Sequence, residues 1–269
     1  MFQAVKSSKA LAAVFALAVL FPAPLPAATA SCDEAPAVGK PHRPAHSCAA
    51  DSKPDILFTL AQVCEKDLAG NPSCRAARKN YVILKDNSPC KPKGYLLIPA
   101  RCVTGVEDSQ VLSEPVVNFW DDAWRWSLKE LAPLPASRLG LAVNSLGTRG
   151  NDQLHFHISC VNREVRKTLR QKDKDIPVYS EYSPASSKPL RIELGARRHA
   201  YDVVKVPVLA GENSPFEVVE KMRGGSQAAM AKQGIAVVAA RRRGGYYVLD
   251  TSEDAGGGHA EELLDQRCR

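Results

Sequence analysis

Pairs of apolar, strand-length runs separated by turn residues are the feature that most constrains the fold of this chain. Residues 80–86 read NYVILKD and residues 94–108 read GYLLIPARCVTGVED, with the turn-forming cluster NSPCKPK between them. A second pair occurs in residues 234–250, where GIAVVAARRRGGYYVLD places a basic, glycine-containing turn between two apolar runs. Two such runs joined by a short turn predict a β-hairpin. We therefore expect a mainly antiparallel sheet.

Amphipathic segments between these hairpins predict helices. In residues 55–70 apolar side chains recur at helical spacing, and Gly70 ends the pattern. Residues 114–132 carry the strongest helical pattern, and their aromatic stripe, which includes Trp120 and Trp124, is expected in the core rather than in a ligand site. Hairpins mixed with helices, without regular βαβ units, predict an α+β fold with flanking helices.

The N-terminal residues carry the pattern of an export signal. Two lysines precede the unbroken apolar run ALAAVFALAVLF at residues 10–21, and small residues with A-x-A spacing follow it. A charged start, a short apolar middle and a small-residue end are the three parts of a secretory signal. We expect residues 1–30 to be a signal peptide or an uncleaved membrane anchor, residues 31–53 an extended lead-in, and residues 54–269 the folded domain. The protein is then expected at the inner membrane facing the periplasm, or soluble in the periplasm after cleavage.

The cysteines agree with export. There are eight, and they contain no C-x-x-C pair: Cys32, Cys48, Cys64, Cys74, Cys90, Cys102, Cys160 and Cys268. In an oxidising compartment such a set predicts a disulfide-stabilised fold. Eight cysteines allow about 105 pairings, so the connectivity stays open.

The net charge of the chain suits an anionic partner. At +7 it favours phosphates, nucleotides or acidic lipid surfaces. No long Lys/Arg tract with interleaved aromatic residues is present, so nucleic acid is not expected as a partner.

The segment DQLHFHISC, at residues 152–160, is the strongest candidate site. Side chains alternate between the two faces of a β-strand, so a strand here places Gln153, His155 and His157 on one face. Polar side chains on a buried face are costly unless each is hydrogen-bonded. Either this face is solvated, or it serves a chemical purpose.

One such purpose is metal binding, because an H-x-H pair can supply two ligands. A catalytic metal site needs a third ligand, and the remaining histidines lack the local spacing to provide it: His42, His46, His199 and His259. The residues alone leave this interpretation open.

The other purpose is nucleophilic attack on a phosphate, in which an imidazole forms a covalent intermediate. That chemistry needs donors beside the strand to hold the phosphate oxygens. The preceding loop, NSLGTRG, supplies Asn144, Ser145 and Arg149, and the guanidinium of arginine suits phosphate well. The residues favour this interpretation over the other two.

The stretch NSLGTRGNDQLHFHISC resembles the signature of the CDP-diacylglycerol pyrophosphatase family, bacterial envelope enzymes of the histidine-triad (HIT-like) superfamily. The resemblance extends to GYLLIPARCVTGVED, NFWDDAWRW, SPFEVV and the last apolar hairpin, which follow in the expected order. It covers about residues 50–269 and implies a HIT-like catalytic domain with a C-terminal hairpin extension.

The resemblance also implies roles for individual residues. His155 stands at the middle position of the triad and is the expected nucleophile, whereas His157 is expected to bind the phosphate and assist the leaving group. Gln153 occupies the first triad position, and Asn144 matches a loop residue on the nucleotide side. Asn151 stands where the family is expected to have Gln, which shortens the reach of that amide.

The implied reaction is hydrolysis of CDP-diacylglycerol to CMP and phosphatidate through a cytidylyl-histidine intermediate, without a metal or other cofactor. The alternatives are a pyrophosphatase or nucleotidyltransferase acting on soluble nucleotides, and a non-enzymatic periplasmic protein that binds a metal or another ligand. A lipid substrate implies contact with a membrane surface, which the basic turn at residues 241–245 could make with acidic headgroups. A homodimer is a further expectation.

Overall fold

The computed structural model describes residues 55–113, 117–179, 188–240 and 244–269. Within them lie ten strands: β1 (Cys74–Ala77), β2 (Tyr81–Lys85), β3 (Tyr95–Pro99), β4 (Leu139–Val143), β5 (Phe156–Val161), β6 (Leu190–Leu194), β7 (His199–Val206), β8 (Gln233–Ala239), β9 (Tyr246–Ser252) and β10 (Leu264–Asp265). The same residues form six α-helices: α1 (Ile56–Lys66), α2 (Ser109–Ser113), α3 (Phe119–Glu130), α4 (Arg163–Lys172), α5 (Pro215–Arg223) and α6 (Gln227–Ala231).

The strands form one sheet in the order β1-β2-β3-β5-β4-β8-β9-β7-β6. Every pairing between these strands is antiparallel, and the predicted hairpins are β2–β3 and β8–β9. Strand β10 pairs with the C-terminal end of β5, at Cys160 and Val161, past the residues of β5 that pair with β3. The predicted α+β fold with a mainly antiparallel sheet and flanking helices is confirmed.

One face of the sheet carries the largest core cluster. Helices α3 and α5 cover it, and the indole of Trp120 packs edge-on against Phe156 of β5 with ring centroids 4.8 Å apart. Burial of large aromatic side chains stabilises such a face strongly. The aromatic stripe predicted for the core is therefore in the core.

The opposite face is divided into two smaller clusters. Helix α1 covers one of them over β1–β3, and α4 with the chain end covers the other over β4, β5 and β8. His157 pairs in register with Leu96 of β3 and with Ala142 of β4. Because Leu96 packs against the first cluster and Ala142 belongs to the second, His157 lies between the two.

Strand β5 begins later than the sequence predicts. It starts at Phe156, so Gln153 and His155 precede it rather than continue the ladder. The partner strand ends at Pro99, which has no N–H to donate. Beyond that point Leu154 instead donates its backbone N–H to the carbonyl of Val103, 2.7 Å away.

Two disulfides attach strands of the sheet to segments that pack against it. Cys64–Cys74 joins α1 to β1, and Cys160–Cys268 joins β5 to the chain end. Cys90 and Cys102 are also disulfide-bonded, and no cysteine among the described residues is free. The predicted disulfide stabilisation is confirmed for this part of the chain.

Three predicted features lie outside the described residues: the signal or anchor at 1–30, the lead-in at 31–53, and the arginines of the turn at 241–243. They stay predictions. In the part of the chain that the structure covers, every helix is too short or too polar to cross a membrane.

Candidate active site

His155 is buried immediately before β5 and is held in one tautomer. Its Nδ1 lies 2.8 Å from the backbone carbonyl oxygen of Gln153. A carbonyl only accepts hydrogen bonds, so Nδ1 carries the proton and Nε2 keeps its lone pair. Burial lowers the pKa of the imidazole below its usual value, although the carbonyl opposes the shift. At neutral pH, His155 is therefore an uncharged imidazole with a free nucleophilic nitrogen.

His157 lies beside it on β5, with the two rings nearly perpendicular and their centroids 4.9 Å apart. Its Nε2 is 3.3 Å from Oε2 of Glu261, and its Nδ1 is buried without a hydrogen-bond partner. Burial lowers the pKa of His157 to about 3, although the Glu261 carboxylate opposes the shift. His157 is thus neutral in the resting protein, next to a group that would stabilise its protonated form.

Glu261 belongs to residues 253–269, here called the C-terminal segment. Its carboxylate forms an ion pair with Lys91 from the turn between β2 and β3, and accepts a hydrogen bond from Gln266, 3.1 Å away. Burial would raise the pKa of Glu261, but the neighbouring His157 and Lys91 overcome it and lower the pKa to about 2. Since His157 is neutral at neutral pH, Lys91 is the cation that balances this buried carboxylate.

Asn144 connects the end of β4 to Glu261. Its Oδ1 accepts the backbone N–H of Glu261 at 3.0 Å, and its Nδ2 lies 3.4 Å from Glu261 Oε2. The same Nδ2 is 3.4 Å from His157 Nε2. Asn144, His157 and Glu261 therefore form one cluster of polar side chains, and the substrate-binding role of Asn144 stays a prediction.

The rest of the loop after β4 is used differently from what the sequence suggests. We expected its donors to hold phosphate oxygens, but the backbone N–H of Ser145 and the hydroxyl of Thr148 both donate to the carbonyl of Gly258, each at 2.9 Å. The N–H of Gly147 donates to Glu253 at 2.7 Å. Ser145 is fully buried. In this structure the loop therefore binds the C-terminal segment.

The guanidinium of Arg149 is likewise bound to other residues of the protein. Its two terminal nitrogens each lie 2.8 Å from an oxygen of Glu107, and one of them also lies 3.1 Å from Asp152. Only 4% of its side chain is exposed. The fork that we expected to hold phosphate is used by Asp152, three residues along the same loop, and by Glu107, which the sequence pattern does not connect to it. The substrate-binding role of Arg149 stays a prediction, and nothing in these contacts supports it.

Gln153 anchors the chain before His155. Its side-chain nitrogen donates to the carbonyls of Pro99 and Arg101 at 3.0 and 2.8 Å, and its side-chain oxygen lies 3.3 Å from the backbone N–H of Val103. The amide is fully buried and shapes the backbone whose carbonyl orients His155. Asn151 is half-buried in the preceding turn. Substrate contacts by these two amides remain predictions.

Three residues near the histidines were not found by sequence reasoning: Glu261, Lys91 and His259. His259 Nε2 lies 3.8 Å from Glu261 Oε2, and burial lowers the pKa of His259. The sequence GHAEEL places His259 and Glu261 two residues apart, but nothing local relates them to β5. Across the described ranges, no group of three or more His, Cys, Asp or Glu side chains is arranged to hold a metal ion.

Comparisons with known proteins concern the chain as a whole. A family model described as CDP-diacylglycerol pyrophosphatase matches residues 53–269. A CDP-diacylglycerol pyrophosphatase from Yersinia pestis is 29% identical over 195 residues, which cover 70% of this chain and 72% of that protein.

Solved structures show a weaker similarity. Yeast Ap4A phosphorylase Apa2 aligns with a TM-score of 0.33 and 13% identity, covering 65% of this chain and 59% of the phosphorylase. Its complex with Ap4A aligns with a TM-score of 0.35 and 12% identity, covering 64% and 57% of the two chains. This chain thus spans less than two thirds of the phosphorylase, and similarity at this level assigns no function.

Proposed function

We propose, on the premise that this chain belongs to the CDP-diacylglycerol pyrophosphatase family of pyrophosphate-bond hydrolases, that it converts CDP-diacylglycerol and water to CMP and phosphatidate through a covalent intermediate on His155. The observation that carries the mechanism is the hydrogen bond between Nδ1 of His155 and the carbonyl of Gln153. It leaves Nε2 unprotonated in a buried site, as a nucleophile must be.

In the first step, Nε2 of His155 attacks the phosphorus on the cytidine side. A bond forms between Nε2 and that phosphorus, and the bond from phosphorus to the bridging oxygen breaks, so that phosphatidate leaves with the oxygen. The ring becomes cationic, and its Nδ1–H strengthens its hydrogen bond to the Gln153 carbonyl. Lys91 supplies positive charge near the site.

In the second step, water attacks the phosphorus of the cytidylyl-histidine and the N–P bond breaks, which releases CMP and regenerates His155. The attacking water must lose a proton, which neutral His157 accepts in this scheme and then releases to solvent. Glu261, 3.3 Å away, would stabilise the resulting imidazolium. No step in this scheme needs a metal or another cofactor.

The lipid substrate places this reaction at a membrane. We infer that the enzyme works at the inner membrane facing the periplasm, held there by residues 1–30 if they are not cleaved, or that it visits the surface from the periplasm. The net charge of +7 favours contact with acidic headgroups. An enzyme using the same His155 on soluble nucleotides is the main alternative, and dependence of turnover on lipid separates the two.

The test is CMP release from CDP-diacylglycerol in detergent micelles with EDTA present. Wild type should turn over, His155→Ala should lose activity by at least about 10³-fold because it lacks the nucleophile, and His157→Ala should retain the nucleophile but work more slowly. Substrate labelled in the cytidine moiety, quenched in alkali, should leave label on wild-type protein and none on His155→Ala. Equal activity in the absence of His155, or complete inhibition by EDTA, would overturn the mechanism. Turnover of soluble CDP-ethanolamine as fast as of CDP-diacylglycerol would favour the soluble-nucleotide alternative.

A further inference from the structure

We propose that Glu261, carried by the C-terminal segment, is the positioning residue that orients His157 and tunes its proton affinity during turnover. The proposal rests on the function proposed above and adds to it a residue outside the H-x-H motif. Three observations support it. Glu261 contacts His157, other side chains hold Glu261 in place, and the neighbouring Glu262 anchors the C-terminal segment through separate contacts.

The first argument is the donor and acceptor balance around His157. The pKa of Glu261 is about 2, so its carboxylate is ionised at working pH and only accepts hydrogen bonds. A histidine nitrogen 3.3 Å away is then the protonated one, because two lone pairs facing each other would repel. The amide nitrogen of Asn144, 3.4 Å from both His157 Nε2 and Glu261 Oε2, then donates to the carboxylate rather than to His157. This places the proton on Nε2 and the lone pair on Nδ1. The Nδ1 atom, buried without a partner, is thereby the nitrogen left to take up a proton.

The second argument is that Glu261 itself is held in place. Asn144 binds both its backbone N–H and its carboxylate, while Lys91 and Gln266 bind the second carboxylate oxygen. These three partners restrain the carboxylate from rotating away from His157. Restraint of this kind on a group that orients a catalytic histidine is how outer residues tune its basicity.

The third argument concerns the neighbouring residue, Glu262, whose side chain makes a separate set of contacts. Its Oε1 accepts from the hydroxyl of Tyr201 and lies near Nδ1 of His199, each at 2.8 Å. Both of these residues belong to β7, which β4, β8 and β9 separate from β5 in the sheet order. Glu262 therefore anchors the C-terminal segment without touching the histidines of the site, and it provides a matched control.

The charges that act on the two histidines come from several elements. His157 faces Glu261 and His259 from the C-terminal segment, Lys91 from the β2–β3 turn, and His155. His155 is influenced by Glu261 and Asp55, which raise its pKa, and by Arg149, which lowers it. Because Glu261 raises the pKa of both imidazoles, removal of its charge lowers both. Replacement of Glu261 by a neutral residue should therefore lower the pKa of both histidines.

The kinetic test compares Glu261→Gln with Glu262→Gln on CDP-diacylglycerol micelles. Glu261→Gln keeps the shape and an acceptor but removes the charge, so we expect kcat to fall on the order of 10²-fold with little change in KM. The acid limb of its pH profile should also move to lower pH. Glu262→Gln, on the same segment, should lower the melting temperature while keeping the wild-type pH profile. Equal effects of the two substitutions on kcat and pH profile would reduce Glu261 to a structural anchor and overturn the proposal.

A second measurement needs no turnover. In protein labelled with ¹⁵N-histidine, His157, assigned by its absence in His157→Gln, should show a protonated Nε2 and an unprotonated Nδ1 in wild type. Glu261→Ala, which lacks the acceptor, should show a mixture of tautomers, whereas Glu262→Ala should not. An unchanged tautomer in Glu261→Ala overturns the proposal. If wild type fails to turn over but the tautomer responds as expected, the proposed substrate is wrong and the positioning role stands.

Discussion

At the scale of single residues, the site consists of two neutral imidazoles, one of which lies 3.3 Å from a partly buried ion pair. His155 and His157 are both 6% exposed, and burial disfavours their charged forms. Glu261 and Lys91, in contrast, are charged and form an ion pair, and Asp86 also lies 3.3 Å from Lys91 Nζ. This division suits the proposed mechanism, which needs an uncharged nucleophile and an uncharged proton acceptor beside a fixed carboxylate.

The pKa of His157 predicts acid destabilisation of the fold. Burial lowers that pKa to about 3, whereas an unfolded histidine titrates near 6.5. Between these values the unfolded state binds one proton more than the folded state, so the free energy of unfolding should fall by about 1.4 kcal/mol per pH unit as the pH is lowered. Glu261 acts in the same direction at lower pH, because its pKa is lowered from 4.5 to about 2.

Urea unfolding between about pH 5 and pH 7 measures this dependence. His157→Gln removes the titrating group, so the free energy of unfolding should depend less steeply on pH in that variant. Identical pH dependence in wild type and variant would show that His157 is not held neutral by burial.

Lys91→Met tests the ion pair. The substitution removes the cation beside the Glu261 carboxylate. Because the Lys91 side chain is 29% exposed, the cost should lie between about 1 kcal/mol, as for a surface pair, and about 3 kcal/mol, as for a buried one. The pKa of Glu261 should rise as well, so part of the lost stability should return when the pH is lowered. The measurement is urea unfolding at neutral and at mildly acidic pH.

Lys93→Met is the matched control, because its exposed side chain lies two residues away in the same turn. It should leave stability within about 0.5 kcal/mol of wild type. A loss in Lys91→Met no greater than that of the control would mean that the carboxylate has found another counter-charge.

At the scale of elements, the C-terminal segment completes the site. It crosses the loop after β4, pairs through β10 with β5, and ends in the disulfide Cys160–Cys268. Gly258 makes the close approach to that loop possible: its φ is +94°, and a Cβ there would lie 2.5 Å from Ser145 Oγ. The disulfide closes a separation of 108 residues and attaches the segment to the strand that carries His157.

Removal of this disulfide should therefore affect activity more than removal of the other. We expect Cys160→Ser/Cys268→Ser to lose about 2–5 kcal/mol of stability and to lose turnover at temperatures where the fold is still intact, because Glu261 is no longer held at His157. Circular dichroism melting alongside CMP release measures both effects.

The control is Cys64→Ser/Cys74→Ser, which frees α1 from β1 but leaves the C-terminal segment attached. It should lower stability while preserving kcat below the melting transition. Equal activity loss in the two double variants would mean that disulfides act here through stability alone.

At the scale of the whole molecule, the apolar core and the polar site lie on opposite faces of the sheet. One face is covered by α3 and α5 over a continuous apolar core, and the other leaves a polar gap between the clusters under α1 and α4. The histidines lie in that gap, and the C-terminal segment contributes Glu261 to it. A rigid core behind the site and a segment beside it are what precise placement of reacting groups requires.

Much of this arrangement was predictable from the sequence, because it depends on local patterns. Turn clusters between apolar runs predicted the hairpins β2–β3 and β8–β9, and helical periodicity predicted α1 and α3. The H-x-H spacing alone brought His155 and His157 together, since residues two apart in a near-extended chain share a face. The family followed from the same motif and from the order of the segments around it.

Only the tertiary structure decided which charged groups meet those histidines. Lys91, Asn144 and Glu261 are far apart in sequence, and no periodic pattern encodes a contact between a turn, a strand end and the chain end. The same limit explains Arg149 and Ser145, which have the chemistry to bind phosphate but are used by Glu107 and by the C-terminal segment. The sequence by itself determined the sheet, the buried aromatic face and the H-x-H motif, because short-range sterics and burial govern them. Their electrostatic partners depended on long-range packing, which brings together charges that the linear sequence keeps apart.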